Sequence, residues 1–218
     1  MAEINLLKSY PSVKRNITRR AISKTEKIRQ IARKFDKEYF DGDRIYGYGG
    51  FHYHPRFWQI VAQDFQKYYH LTSKSSILDV GCAKGFMMHD FACLLPGINV
   101  TGIDISEYAV SHALEDMKSR IKVGNAKNLP YKDKSFDLVI SINTIHNLSL
   151  RECKQALREI QRVKKKHAFI TVDSYRNKEE LQRLEAWNLT ALTYMSVREW
   201  VKLFNEVGYT GDYWWFIP

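Results

Sequence analysis

Two glycines and two aspartates give the first chemical lead. Gly81 and Gly85 stand four residues apart directly after an apolar run that ends in Asp79 and Val80, and Asp104 follows Gly81 by 23 residues. Glycines at a strand-to-helix turn let backbone approach a ligand where side chains would collide. The helix that follows turns its free N–H groups toward the same place. An acid at the end of the next strand is placed to accept hydrogen bonds from ribose hydroxyls. A glycine turn alone is common; together with Asp104 it marks a nucleoside site. A dinucleotide would need the spacing G-x-G-x-x-G, whereas here Phe86 follows Gly85, so NAD is a poor fit.

The elements that must hold these residues can be read from hydrophobic spacing. Short apolar runs at 76–80, 98–103, 121–123, 136–142, 168–172 and 213–217 predict strands. Helices are predicted over 86–95, stopped by Pro96 and Gly97, and from Ser106 to about Lys118. Further helices start behind Ser149 with Glu152, behind Asn177 with Glu180, and behind Ser196 with Glu199, the last ending at Gly208. Strands alternating with helices at this spacing make an α/β protein with a mostly parallel twisted sheet covered on both faces. Upstream, Pro55 opens a predicted helix whose apolar face is Phe57, Trp58, Val61, Phe65 and Tyr68. Before it, the run RIYGYGGFHYH (44–54) mixes three glycines with aromatics and reads as a ligand-shaped loop.

Composition bounds the rest. With 218 residues, 44% hydrophobic and 27% charged, the chain has the balance of a globular domain, and no uncharged run reaches the ~18 residues of a membrane helix. Three cysteines, Cys82, Cys93 and Cys153, give no disulfide framework and no metal-site spacing. With no apolar secretory segment at the N-terminus, a cytoplasmic location is expected. The net charge is +10, and residues 1–40 hold eleven Lys and Arg against four Asp and Glu, a surplus of seven. Ile28, Ile31, Phe35 and Tyr39 repeat at helical spacing, so residues 24–39 are expected to lay one face on the body. The division expected is a basic N-terminal helical extension (1–40), an aromatic and glycine lid loop with its helix (41–74) and the nucleoside-binding core (75–218). The basic extension suits a solvated arm or a nucleic acid partner; the sequence leaves the oligomeric state open.

Four blocks resemble the class I S-adenosylmethionine-dependent methyltransferases, over roughly residues 75–173: ILDVGCAKG (77–85), VTGIDIS (100–106), VGNAKNLP (123–130) and SFDLVIS (135–141) continued by INTIH (142–146). The resemblance implies a Rossmann-like fold with S-adenosyl-L-methionine as methyl donor. It implies that Asp79, Gly81, Cys82, Ala83 and Gly85 wrap the methionine part and that Asp104 and Ile105 meet the nucleoside. Asn125 would meet the adenine amine, beside the backbone of Ala126, and Ser141 and Asn143 would lie near the transferring methyl. Two departures stand out. The family usually has glycine where Ala83 stands, which is expected to tighten ligand clearance slightly, and often aspartate where Asn125 stands. A non-catalytic S-adenosylmethionine-binding protein is therefore an alternative.

Methyl transfer from a sulfonium is an in-line displacement, helped by holding the reactants together and by a base where the acceptor must lose a proton. Candidates lie beyond the strand ends: His146, Asp173 and Tyr175. Tyr46 and Tyr48, with Tyr53, offer aromatic faces to the sulfonium, and Arg44 offers a fork to the cofactor carboxylate. Acceptor candidates are His52, His54, His146, Asn147, Tyr175, Trp187 and Tyr194, with Asn188, Trp214 and Trp215 as further possibilities. Each also has a plainer reading, as core, loop or surface. The strand-four loop lacks an Asp/Asn-Pro-Pro-aromatic signature and a Pro-Cys pair. The expected activity is transfer to an O or N atom of a small-molecule acceptor, with RNA methylation through the basic arm as the alternative.

Overall fold

The computed structural model describes residues 1–11 and 24–218. Seven strands form one sheet: β1 (Ser76–Val80), β2 (Asn99–Asp104), β3 (Ile121–Val123), β4 (Phe136–Ile142), β5 (Lys164–Tyr175), β6 (Met195–Ser196) and β7 (Asp212–Phe216). The order is β3-β2-β1-β4-β5; β7 pairs with the middle of β5, and β6 with its last two residues. Every pairing is parallel. β1 and β4 are buried along nearly their whole length, which is why they read as unbroken apolar runs.

The helices are α1 (Glu26–Ala32), α2 (Lys37–Phe40), α3 (Gln59–Tyr69), α4 (Phe86–Leu94), α5 (Glu107–Ser111), α6 (Leu150–Val163), α7 (Lys178–Trp187) and α8 (Val197–Val207). Neighbouring strand residues feed opposite core layers. Leu78, Val139 and Ile170 pack with Leu157 and Ile160 of α6 and Trp200 and Phe204 of α8. Ile77, Leu138 and Phe169 pack with Val61 and Phe65 of α3 and Met88 and Phe91 of α4. Both expected capping boxes form, Ser149 with Glu152 and Ser196 with Glu199.

Several expectations are corrected. α3 starts at Gln59 rather than Pro55, because 55–58 form a separate turn. α5 ends at Ser111, well short of Lys118. β5 starts at Lys164, four residues before its apolar stretch, since the polar residues there are half-buried or exposed and leave no hydrophobic signal. The helix expected over 24–39 is split in two, with Phe35 left-handed (φ +51°) between the halves. Nor is the extension a helical arm at its start. Residues 1–5 run along β7: Ile4 N–H donates to Tyr213 O and Tyr213 N–H to Ala2 O, both at 3.0 Å. Leu6 is buried in the layer of α3 and α4. Of the expected extension, residues 12–23 lie outside the described residues.

Candidate active site

The turn after β1 is fastened almost entirely through backbone. Gly81 N–H donates to Ile103 O (2.7 Å), and Ala83 N–H donates to Asp104 Oδ2 (2.7 Å). Asp104 Oδ1 accepts from Ser106 N–H (2.8 Å), so one carboxylate joins the turn to the end of β2. Gly81 has φ +85°, and a Cβ there would lie 2.1 Å from Thr144 Oγ1. Gly85, with φ +78°, is the N-cap of α4. Burial pushes the Asp104 carboxyl up, against the pull of these N–H groups. Burial, with Asp104 beside it, raises Asp79 to about 7. Cys82 is buried next to them, its thiol pushed up by burial. Ala83 is itself left-handed (φ +49°). The departure from glycine therefore carries backbone strain, about 1–2 kcal/mol.

A residue that sequence reasoning passed over holds the loop to this turn. Lys84 lies inside the glycine motif and is 5% exposed. Its Nζ donates to Asp41 Oδ1 (2.9 Å), Asp41 Oδ2 (2.7 Å) and Phe51 O (2.9 Å). Asp41 also accepts from Phe51 N–H (2.9 Å) and Tyr108 OH (2.7 Å). Burial alone would raise the Asp41 carboxyl; the hydrogen bonds from Lys84, Phe51 and Tyr108 and the Lys84 charge hold it at about 2. Phe51 stacks on Phe86 (4.7 Å), and Tyr48 lies against Phe51 (4.2 Å). The loop is thus strapped to the turn in this structure.

That strapping redirects several expected ligands. Arg44 donates to the carbonyls of Gly47 and Tyr48 within its own loop instead of offering a free fork. Tyr53 OH donates to Asp90 Oδ1 (2.7 Å), and its ring rests on Phe86 and His89, which turns it to α4. His52 and His54 are exposed, and His54 Nδ1 accepts from Arg56 N–H (3.2 Å) at the turn before α3. Tyr46 is half-buried and Tyr48 is exposed in the loop.

On the nucleoside side, Ile105 is 54% exposed beside Asp104. Asn125 Oδ1 accepts from Lys127 N–H (3.0 Å) in an Asx turn, which fixes the oxygen expected to meet the adenine amine and leaves it one lone pair. Ala126 packs on the core beneath. Beyond β4, Asn143 is left-handed (φ +51°), and its Oδ1 accepts from Thr171 Oγ1 (2.9 Å). Ser141 Oγ and Asn147 Oδ1 are buried without a hydrogen-bond partner.

Beyond β4, two expected site residues 27 apart in sequence come together. His146 is 4% exposed and Asp173 7%. Asp173 N–H donates to His146 Nδ1 (3.0 Å), and Asp173 Oδ1 is 3.7 Å from the same nitrogen. An accepting Nδ1 places the neutral ring's proton on Nε2. Burial pushes the His146 pKa down, against the pull of Asp173, so the ring stays neutral. His146 therefore presents a donor, which corrects its expected use as a base. Burial raises the Asp173 carboxyl, opposed by Lys24 and by the protonated form of His146. Tyr175 follows on the same strand, pairing with Ser196. Leu192 and Thr193 N–H both donate to His146 O, which brings the segment after α7, and with it Tyr194, to this end. Trp187 packs on Phe216 (5.8 Å). Asn188 closes a turn with Ala191, and Trp215 is core, so neither is a free acceptor ligand.

These residues fit an S-adenosylmethionine site: a turn where a Cβ has no room, a ribose-ready carboxylate, and two buried polar atoms at the end of β4 lacking partners. The described residues contain no helix long and apolar enough to cross a membrane.

Residues 71–211 match the family described as methyltransferase domain. A tRNA (carboxymethyluridine(34)-5-O)-methyltransferase of Arabidopsis thaliana is 34% identical over 133 residues, which are 60% of this chain but only 31% of that protein. Norajmaline N-methyltransferase of Rauvolfia serpentina is 37% identical over 108 residues, 46% of this chain and 36% of that protein. Between these two relatives, the chain spans about a third of their length. Among solved structures, the YcgJ protein of Bacillus subtilis superposes with a TM-score of 0.55 at 21% identity, covering 67% of this chain and 66% of that one. The [4+2]-cyclase SpnF gives 0.54 at 21% identity, covering 69% and 56%. At that identity these two show the fold alone. The family match extends over most of the chain and takes in the glycine turn, Asp104 and the β4 loop, and on it the chain belongs to the class I S-adenosylmethionine-dependent methyltransferases.

Proposed function

We propose that the protein transfers a methyl group from S-adenosylmethionine to an oxygen or nitrogen atom of a small molecule held beyond the carboxyl ends of β4 and β5. When bound, the cofactor supplies a sulfonium methyl open to in-line attack. The turn at Gly81 receives the methionine part. Each Asp104 oxygen has a lone pair beyond the one its backbone partner uses, and these accept the ribose hydroxyls. Ile105 offers an apolar face to the adenine. Asp173 takes the proton of the acceptor's hydroxyl or ammonium group, while His146 donates from Nε2 to orient the acceptor.

The observation that carries this reading is the pairing of His146 with Asp173. A desolvated carboxylate whose pKa is raised suits a base working near neutral pH. The same charge repels a phosphate backbone. Lys24 and Arg29, two described cations of the basic extension, donate to backbone carbonyls instead of lining an open groove. The second reading, a transfer RNA acceptor, draws on the Arabidopsis relative and on the charge of residues 1–40. The three free cysteines favour a cytoplasmic setting.

The test is transfer of a tritiated methyl from the cofactor into fractionated cell extract, comparing small metabolites with total RNA. Label in the small-metabolite fraction, lost in Asp173→Asn, is expected. Label in RNA alone overturns the acceptor assignment.

A further inference from the structure

A further set of reactive side chains lies on the outside of α4. His89 and Cys93 stand one helical turn apart, so their side chains share a face of the helix. Cys93 Sγ is 3.5 Å from His89 Nε2, and His89 Nδ1 is 2.6 Å from Asp116 Oδ2 in the segment after α5. With Asp116 accepting from Nδ1–H, the neutral ring keeps Nε2 free to accept the thiol proton. A nucleophile, a base and a third group that orients the base are thereby in register. Cys93 is exposed, whereas Cys82 and Cys153 are buried. The Tyr53 ring stands edge-on to the His89 ring at 4.9 Å and closes one side. Asp90, 4% exposed, gives Oδ1 to Tyr53 OH (2.7 Å), while its Oδ2 is buried with no hydrogen-bond partner.

We propose that Cys93 is a site of mixed-disulfide formation, its thiol activated by His89 and Asp116, and that its reagent is a small cationic disulfide. His89 Nε2 takes the thiol proton as Cys93 Sγ attacks one sulfur of the disulfide. The new S–S bond forms as the old one breaks, and the leaving thiolate takes up a proton from solvent. The Cys93 sulfur is oxidised and the leaving sulfur reduced, so the exchange needs no other reactant. Burial, with Asp90 and Asp116 nearby, pushes the Cys93 thiol up. Little thiolate therefore stands free, and the proton must pass to His89 during the attack. The same two carboxylates attract a cationic reagent and repel an anionic one.

The test uses full-length protein with cystamine as the cationic disulfide and dithiodipropionate as the anionic one. The adduct at Cys93 is followed by peptide mass, and each rate is divided by that of the same protein unfolded in urea. At pH 7 cystamine is expected to react with the native protein faster than with the unfolded chain, by about tenfold or more. His89→Gln is expected to remove that advantage, and Asp116→Asn, which leaves α4 untouched, to reduce it. The gap between native and His89→Gln should narrow toward pH 9, where free thiolate competes with the base-assisted route. Cys82 and Cys153 should stay unlabelled in the native protein and both variants, showing that the fold is intact. A native rate no faster than the unfolded one, or a native rate kept by both variants, overturns the activation. A normalised preference for dithiodipropionate overturns the choice of reagent.

Discussion

The cofactor turn and the proposed acceptor cluster sit at the carboxyl ends of the same sheet's strands, yet they are made differently. The turn at 81–85 is held by backbone N–H groups and one carboxylate, and its shape depends on the absence of side chains. The proposed acceptor cluster draws His146, Asp173 and the 188–196 segment from distant parts of the chain; backbone N–H groups tie them to the His146 ring and carbonyl, and the groups it turns to chemistry are side chains. A backbone-built site tolerates little change and recognises a constant ligand. A side-chain-built site can be altered residue by residue while the sheet stays intact, which is how one fold comes to serve many acceptors.

That contrast makes the two ends separable by mutation. The largest effect is expected from Asp173→Asn. Loss of a general base should lower methyl transfer about 10²–10⁴-fold, with S-adenosylhomocysteine affinity unchanged by calorimetry. In the native enzyme, kcat/KM should fall as pH drops through the raised Asp173 pKa, because only the ionised carboxylate takes a proton. Gly81→Ala should do the reverse and disable the cofactor end. Its Cβ collides with Thr144 and demands a left-handed alanine, together about 2–5 kcal/mol of stability, read as a lower denaturation midpoint together with lost cofactor binding. Equal loss of cofactor binding in Asp173→Asn would break the comparison.

Lys84→Met asks whether the 41–54 loop belongs to the cofactor end. Breaking a buried ion pair costs about 3–5 kcal/mol, and the low end applies because the Asp41 side chain keeps 19% exposure. Hydrogen exchange over 41–54 should rise and cofactor affinity should weaken; unchanged exchange would show that the aromatic contacts alone hold the loop. Because the folded Asp41 pKa is depressed to about 2, the pair's contribution is present above the unfolded carboxylate value of ~3.9 and is lost as pH falls toward 2. Protection of the loop amides, taken against the intrinsic exchange rate at each pH, should therefore fall in that window. The smallest effect is expected from Ala83→Gly. Relief of the left-handed strain is partly offset by glycine's greater unfolded entropy. A net gain of about 1 kcal/mol would raise the melting temperature by about 2–4 °C. A fall would show that Ala83 makes a packing contact worth more than its strain.

How much could be read beforehand divides along the same line. Strands β1, β2 and β4, the capping boxes at Ser149 and Ser196, and the glycine turn were legible because they are local: periodicity, a cap pair or a spacing lies within a few residues. Lys84 was not legible, although it lies inside the motif, because its partner Asp41 is 43 residues away and nothing periodic links them. The use of Asn125 by its own turn and the donor role of His146 were hidden likewise, since each depends on which neighbour takes a lone pair. Charge counting marked residues 1–40 as basic but could not show that Lys24 and Arg29 end on carbonyls of α7 and the residue after it.

The segment along β7 carries a kinetic consequence. Ala2 N–H donates to Asp212 Oδ1 across 210 positions, and Glu3 bridges Tyr213 beside it. Contacts of such separation must await closure of a very long loop, and they contribute to slow folding. During synthesis the opening residues have nothing to pair with until β7 has left the ribosome. The outer edge of the sheet is therefore the last part to be covered. In the interval the β5 edge that β7 will cover stays unsatisfied, the kind of surface through which nascent chains associate.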